Sequence, residues 1–147
     1  MKYVFDDGGR EAAGYKGLAG DCVTRAVSIA TEQDYQTVYD AMSKINANTR
    51  RGKRTVKSVG TNTARNGVYT NRRPFIEYMT SRGWEWVPCM GIGTGAKVHL
   101  RADELPSGRI ICRVSRHMVA VIDGVIHDTH DPSRGGMRCV YGYWRKP

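Results

Sequence analysis

Three residues, far apart in the chain, are of the types that carry out nucleophilic acyl transfer: Cys22, His117 and Asp128. A thiol attacks a carbonyl as its thiolate, so it needs a setting that lowers its pKa. A histidine can supply that setting and then shuttle the proton. A carboxylate behind the imidazole holds the tautomer and stabilises the imidazolium. Cys22 lies in Gly20-Asp21-Cys22-Val23-Thr24-Arg25-Ala26-Val27, which reads as a loop turning into a helix. The free N–H groups and dipole of a helix N-terminus favour an anion there, and the Cys22 N–H is itself placed to stabilise an oxyanion. The other three cysteines, Cys89, Cys112 and Cys139, have no comparable setting. No pair has C-x-x-C spacing, so four free thiols are expected.

The histidine and the carboxylate are tied together by a turn. Asp123-Gly124 separates two apolar runs, His117 to Ile122 and Val125 to Thr129, which is a strong signal for a two-residue hairpin. That turn pairs Ile122 with Val125, Val121 with Ile126, Ala120 with His127 and Val119 with Asp128, and it sets His117 opposite His130. Opposed residues share a face, as do residues two apart. His117 and Asp128 are then diagonal neighbours, with Cα atoms roughly 7 Å apart. The same register points His127 to the other face and makes Asp131 second choice to Asp128. His130 keeps the correct face and serves as the alternative base if the hairpin slips. His117, Asp128 and His130 could also converge on a metal, but no further ligand spacing supports one, and neither metal nor cofactor is expected.

The elements that must position these groups are legible. Val23, Ala26, Val27 and Ala30 recur with helical spacing, which predicts a helix from about Cys22 to Thr31 with Asp21 as its N-cap. A second helix is expected over Asp34 to Ile45, and a third from about Arg73 to Arg82, with Pro74 in its first turn and Gly83 ending it. Between them, residues 46–67 read as a long polar loop. After Gly83 the pattern turns to period two. Strands are expected at Trp84–Val87, near Val98–Leu100, and at Arg109–Val114, His117–Ile122, Val125–Thr129 and Cys139–Trp144, with a short one possible at Lys2–Phe5. Gly91-Ile92-Gly93-Thr94-Gly95 matches no phosphate-binding motif and reads as a loop. Helices first and strands second is an α+β layout, with the N-terminal helices packed on a C-terminal antiparallel sheet. One domain over 1–147 is expected, helical over about 20–83 and sheet over about 84–147.

Composition narrows the class. The chain has 147 residues, 40% hydrophobic and 25% charged, as in ordinary globular proteins. No apolar run approaches the roughly 20 residues of a membrane span. The start, Met1 to Asp7, lacks a signal-like hydrophobic region, so a cytoplasmic protein is expected. The formal charge is +9. Residues 41–76 carry Lys44, Arg50, Arg51, Lys53, Arg54, Lys57, Arg65, Arg72 and Arg73 with no Asp or Glu. Such a segment either solvates the surface or contacts an acidic protein or nucleic acid. No zinc-finger spacing, heptad or RNA-binding aromatic signature accompanies it.

Gly20-Asp21-Cys22 with its helix, the strand beginning Arg116-His117-Met118-Val119, and Asp128-Thr129-His130-Asp131-Pro132 together resemble the papain-like cysteine peptidase superfamily. The likeness is to its compact bacterial and phage C39-like branch. It spans most of the chain by order of elements, on few specific residues. It implies a helical part packed on an antiparallel sheet, with the active site in the cleft between them. It also implies Cys22 as nucleophile, His117 as general base and acid, Asp128 as orienting residue, and a protein or peptide substrate. Two positions depart from the pattern. Lys16 stands where the family often has an oxyanion-donating Gln, and Val23 follows the cysteine. The alternative reading is a catalytically inactive or non-enzymatic basic binding module on the same scaffold, working through residues 44–73.

Overall fold

The computed structural model describes residues 1–17, 19–49, 63–65, 67–90 and 97–147. In chain order the elements are β1 (Lys2–Phe5), α1 (Cys22–Thr31), α2 (Tyr35–Asn48), α3 (Arg73–Ser81), β2 (Glu85–Pro88), β3 (Arg109–Val114), β4 (His117–Ile122), β5 (Val125–Asp128) and β6 (Gly142–Arg145), with a short 3₁₀ turn at Arg134–Gly136 before β6. The chain is therefore of mixed α and β content. The six strands form one sheet in the order β1-β5-β4-β3-β6-β2.

The expected antiparallel sheet is corrected to a mixed one, because β1 pairs parallel with β5, Lys2 opposite Val125 through Phe5 opposite Asp128. Tight turns force neighbours to run antiparallel only where they join consecutive strands. They do so at β3–β4 and β4–β5. The strand β1 is far from its partner in sequence, so no turn dictates its direction. It also extends the sheet beyond the expected 84–147. The expected 139–144 strand begins only at Gly142, and the one near 98–100 reduces to a single bridge between His99 and Cys139.

The hairpin register is the one Asp123-Gly124 dictates: Ile122 pairs with Val125, Val121 with Ile126 and Ala120 with His127. Both turn residues have positive φ, +48° and +77°, as a tight two-residue hairpin turn requires. Asp123 is also held from outside, accepting the Gly108 N–H at 2.7 Å.

Alternate residues of β3 and β4 feed two cores, which explains why both strands are nearly continuous apolar runs. Ile111, Met118 and Ala120, with Trp144 of β6, join Val23, Val27, Val38, Met42, Phe75 and Met79 from the three helices. Ile110, Cys112, Val114, Val119 and Val121 join Leu100, Ile126 and Val140. The helix α1 is buried from Val23 to Ala30 without a break, polar residues included. Part of its cover is the N-terminal loop, where Gly8 (φ +70°) sits so close that a Cβ would lie 3.1 Å from the Arg25 carbonyl oxygen.

Gly142 of β6 is packed tightly against β2. A Cβ there would fall on the Trp86 ring and 2.8 Å from the Val87 carbonyl oxygen. Overpacking of that kind costs about 1–3 kcal/mol. Gly142→Ala is expected to lower the thermal midpoint by several degrees, since about 2–4 °C are lost per kcal/mol at this size. A midpoint unchanged in differential scanning calorimetry would mean that the Trp86 ring swings aside at no cost.

Candidate active site

The N-terminus of α1 is an open one. Its hydrogen-bond ladder begins with the Arg25 N–H donating to the Asp21 carbonyl at 3.0 Å, so the N–H groups of Cys22, Val23 and Thr24 come before the first rung. Asp21 stands at the N-cap position but makes no side-chain capping bond, which corrects the expected role. Its buried carboxylate is turned away from the helix end. It accepts from the Arg25 guanidinium, from the Tyr35 hydroxyl at 2.6 Å, and pairs with Arg10 at 3.3 Å. Two cations outbid the backbone for this carboxylate. The first-turn amides are thereby left to whatever anion lies beside them.

Beside them is the sulfur of Cys22. His117, the first residue of β4, lies beside the thiol and acts on it through hydrogen bonding and charge, and the Met118 N–H adds to this. The other side of the imidazole is occupied: Nε2 of His117 lies 2.6 Å from the Asp128 carboxylate. That leaves Nδ1 for the sulfur. Asp128, the last residue of β5, is buried. It accepts the Thr129 N–H at 2.7 Å and pairs with Arg25 at 3.5 Å. Thus Cys22, His117 and Asp128 gather in one cluster, with His117 bonded to Asp128 and acting on the Cys22 sulfur, and with Arg25 bridging Asp128 back to Asp21.

The electrostatics follow from these contacts. Burial pushes the Cys22 thiol up, but the hydrogen bond and charge of His117, the Met118 N–H and Arg25 outweigh it, and its pKa is lowered. Burial pushes His117 down, but Asp128 and Cys22 raise it to about 9. Burial raises Asp128, and His117, the Thr129 N–H and Arg25 bring it below the ordinary carboxylate range. All three directions favour one state: thiolate, imidazolium, carboxylate. In that state the buried cluster balances, since Arg10, Arg25 and His117 face Asp21, Asp128 and Cys22. The other thiols move the opposite way where a shift is resolved, with burial raising both Cys89 and Cys112.

Comparison with family models, curated proteins and solved structures finds no match.

The remaining candidates fall into place around the three. His127 faces Asp6 at 3.3 Å and does not line the cleft at Cys22. Asp131 accepts the Ser133 N–H at 2.9 Å. His130 lies beside His117 with ring centroids 5.1 Å apart, but its Nδ1 is 4.0 Å from Asp128. The ligand atoms of His117, Asp128 and His130 do come within 4.8 Å of one another. His117 and Arg25 already engage the carboxylate of that group. Lys16 is exposed. It lines a groove with Phe5, Asp7 and Glu11, not the cleft at Cys22, so it is not placed to donate to an oxyanion there. Of the basic segment, Arg50, Arg51, Lys53, Arg54 and Lys57 lie outside the described residues, as does the glycine-rich 91–95 stretch. Arg73 pairs with Glu77 on the surface of α3.

Sequence reasoning did not find Arg25, Arg10 or Tyr35. A signal for Arg25 was present. It is the one charged residue in the apolar run Val23 to Ala30, one helical turn after Asp21. A charge in a buried helix face needs a buried partner.

Proposed function

We propose that this chain is a thiol hydrolase of the papain-like kind, acting on an amide or related acyl bond through Cys22, His117 and Asp128. The observation that carries the reading is the convergence of the helix-borne sulfur, the His117 ring and the buried Asp128 carboxylate, with 2.6 Å between the last two. A cleft of about 550 Å³ opens at the sulfur, lined by Cys22, Val23, Val68, Val114, His117 and Met118 among others. Those residues come from α1, from the segment before α3 and from β3 and β4, which suits a papain-like cleft bounded by helix and strands.

In this reading the Cys22 thiolate attacks the carbonyl carbon and forms the C–S bond. The oxyanion that develops is met by the Cys22 N–H, one of the amides that no cap engages. As the C–N bond breaks, His117 gives its proton to the leaving amine. A water then attacks the thioester, His117 takes a proton from it, and the thiolate leaves with its electron pair. The cycle returns every group to its starting state and needs no metal or cofactor.

The test is acylation. Mixing the protein with p-nitrophenyl acetate is expected to give a nitrophenolate burst of about one equivalent, with an added acetyl mass on the peptide that contains Cys22. Cys22→Ala should show neither. A burst that survives Cys22→Ala, or acetyl mass found only on lysines, would remove the reading.

A further inference from the structure

The lining of the cleft at Cys22 is cationic. Arg113 and Arg116 line it together with Arg25 and His130, and no Asp or Glu does. Arg25 is spent on Asp21 and Asp128. Arg113 and Arg116 enter no ion pair among the described residues. The two flank the connection that leads into His117: Arg113 is in β3, and Arg116 is the residue before β4. Arg116 also holds a backbone conformation that costs energy, φ +56° on a residue with a full side chain. A glycine would relieve it. That conformation belongs to the two-residue turn Ser115-Arg116, since Val114 pairs with His117. The turn is anchored from behind, because the Arg138 guanidinium donates to the Ser115 carbonyl oxygen and, at 3.5 Å, to that of Pro132, just after His130. The same cleft also has an apolar lining, with Val23, Val68 and Met118.

We propose that this cleft selects substrates bearing a carboxylate next to the bond attacked by Cys22, with Arg113 and Arg116 as the specificity-determining pair. A planar guanidinium fork matches a carboxylate in two parallel hydrogen bonds, and a pair of them beside the nucleophile would orient an acidic acyl group. The carboxylate would be an acidic side chain or a chain terminus. The proposal rests on the thiol-hydrolase reading above, and its test separates the two.

Iodoacetate and iodoacetamide differ in charge at nearly the same size. The rate of Cys22 alkylation by each is measured at low salt and divided by the rate with N-acetylcysteine. Iodoacetate is expected to gain about tenfold over iodoacetamide on that scale, and to lose the gain as salt screens it. Arg113→Gln with Arg116→Gln should abolish the preference, read as the ratio of the iodoacetate rate to the iodoacetamide rate of the same variant. Arg116→Gly, which suits the turn, should weaken the preference without loss of thermal stability. Neutralising Arg82 and Lys146, which line a separate groove with Trp84 and Arg109, should change neither rate, as a control for net charge. Protection of Cys22 from iodoacetamide by a C-terminally amidated glutamyl peptide, as against a neutral peptide with a free C-terminus, tells side chain from terminus. Slow iodoacetamide labelling of Cys22 would sink the thiol-site reading itself. Fast labelling without an iodoacetate preference, or stronger protection by an oligonucleotide than by either peptide, would overturn the carboxylate proposal alone.

Discussion

His117→Ala is expected to slow alkylation of Cys22 by a neutral haloacetamide at pH 6 by about 100-fold or more, since thiolate fraction falls tenfold for each pH unit below the pKa. In the parent protein the thiol is half-buried, which alone would raise its pKa, and His117 heads the interactions that reverse this. Removing the ring removes both its hydrogen bond and its charge, while the burial remains. The pH dependence has a definite sign. The parent thiolate persists below the ordinary thiol range because the Cys22 pKa is lowered. The imidazolium persists up to about 9. Alkylation needs only the thiolate, so it should stay fast on the alkaline side. Hydrolysis needs the imidazolium as acid as well, so it should fall as pH rises through about 9. Labelling of Cys22, Cys89, Cys112 and Cys139, resolved by peptide mass at several pH values, checks this. Equal rates in parent and variant at pH 6 would show that the helix end and Arg25 suffice, with His117 a bystander.

What could be read from the sequence was what local rules decide. The bounds of α1 follow from spacing of apolar residues, and the placing of His117 against Asp128 follows from one dipeptide, Asp123-Gly124, whose turn admits a single register. The misreadings have a common cause in long-range competition. Asp21 is an excellent cap by type, yet two arginines and a tyrosine hydroxyl claim its carboxylate. One of those arginines, Arg10, comes from a loop that looks like mere polar sequence. The parallel pairing of β1 has no turn to announce it. Lys16 stands at the family's Gln position by sequence alone, and position in sequence does not fix the path of the loop. The Lys16 carbonyl instead accepts from Arg10 at 3.2 Å, and the side chain serves another groove.

The same competition yields the largest expected effect on stability. Arg25→Met should destabilise the fold by about 3–5 kcal/mol, the usual cost of leaving a buried charge without its partner. The side chain is nearly as long, so lost packing is a minor part of that loss. The larger part is electrostatic: Asp21 is 2% exposed and Asp128 3%, and Arg25 touches both. The thermal midpoint should fall by on the order of 10 °C. Acid makes the case sharper. Asp128 has a lowered pKa, so its contribution to stability is present above the ordinary carboxylate range and is lost as pH falls through the lowered value. Without Arg25 that loss should begin at higher pH. Arg25→Lys should recover only part of the stability, because a single ammonium cannot span two carboxylates as the guanidinium fork does. A double-mutant cycle with Asp21→Asn should show coupling of about 0.5–3 kcal/mol, and strict additivity in urea titrations would argue against a linked pair. Arg25 is a minor contributor to the thiol pKa beside His117. In Arg25→Met, then, Cys22 should still alkylate far faster at pH 6 than in His117→Ala, which divides the residue that holds the site together from the residue that activates the sulfur.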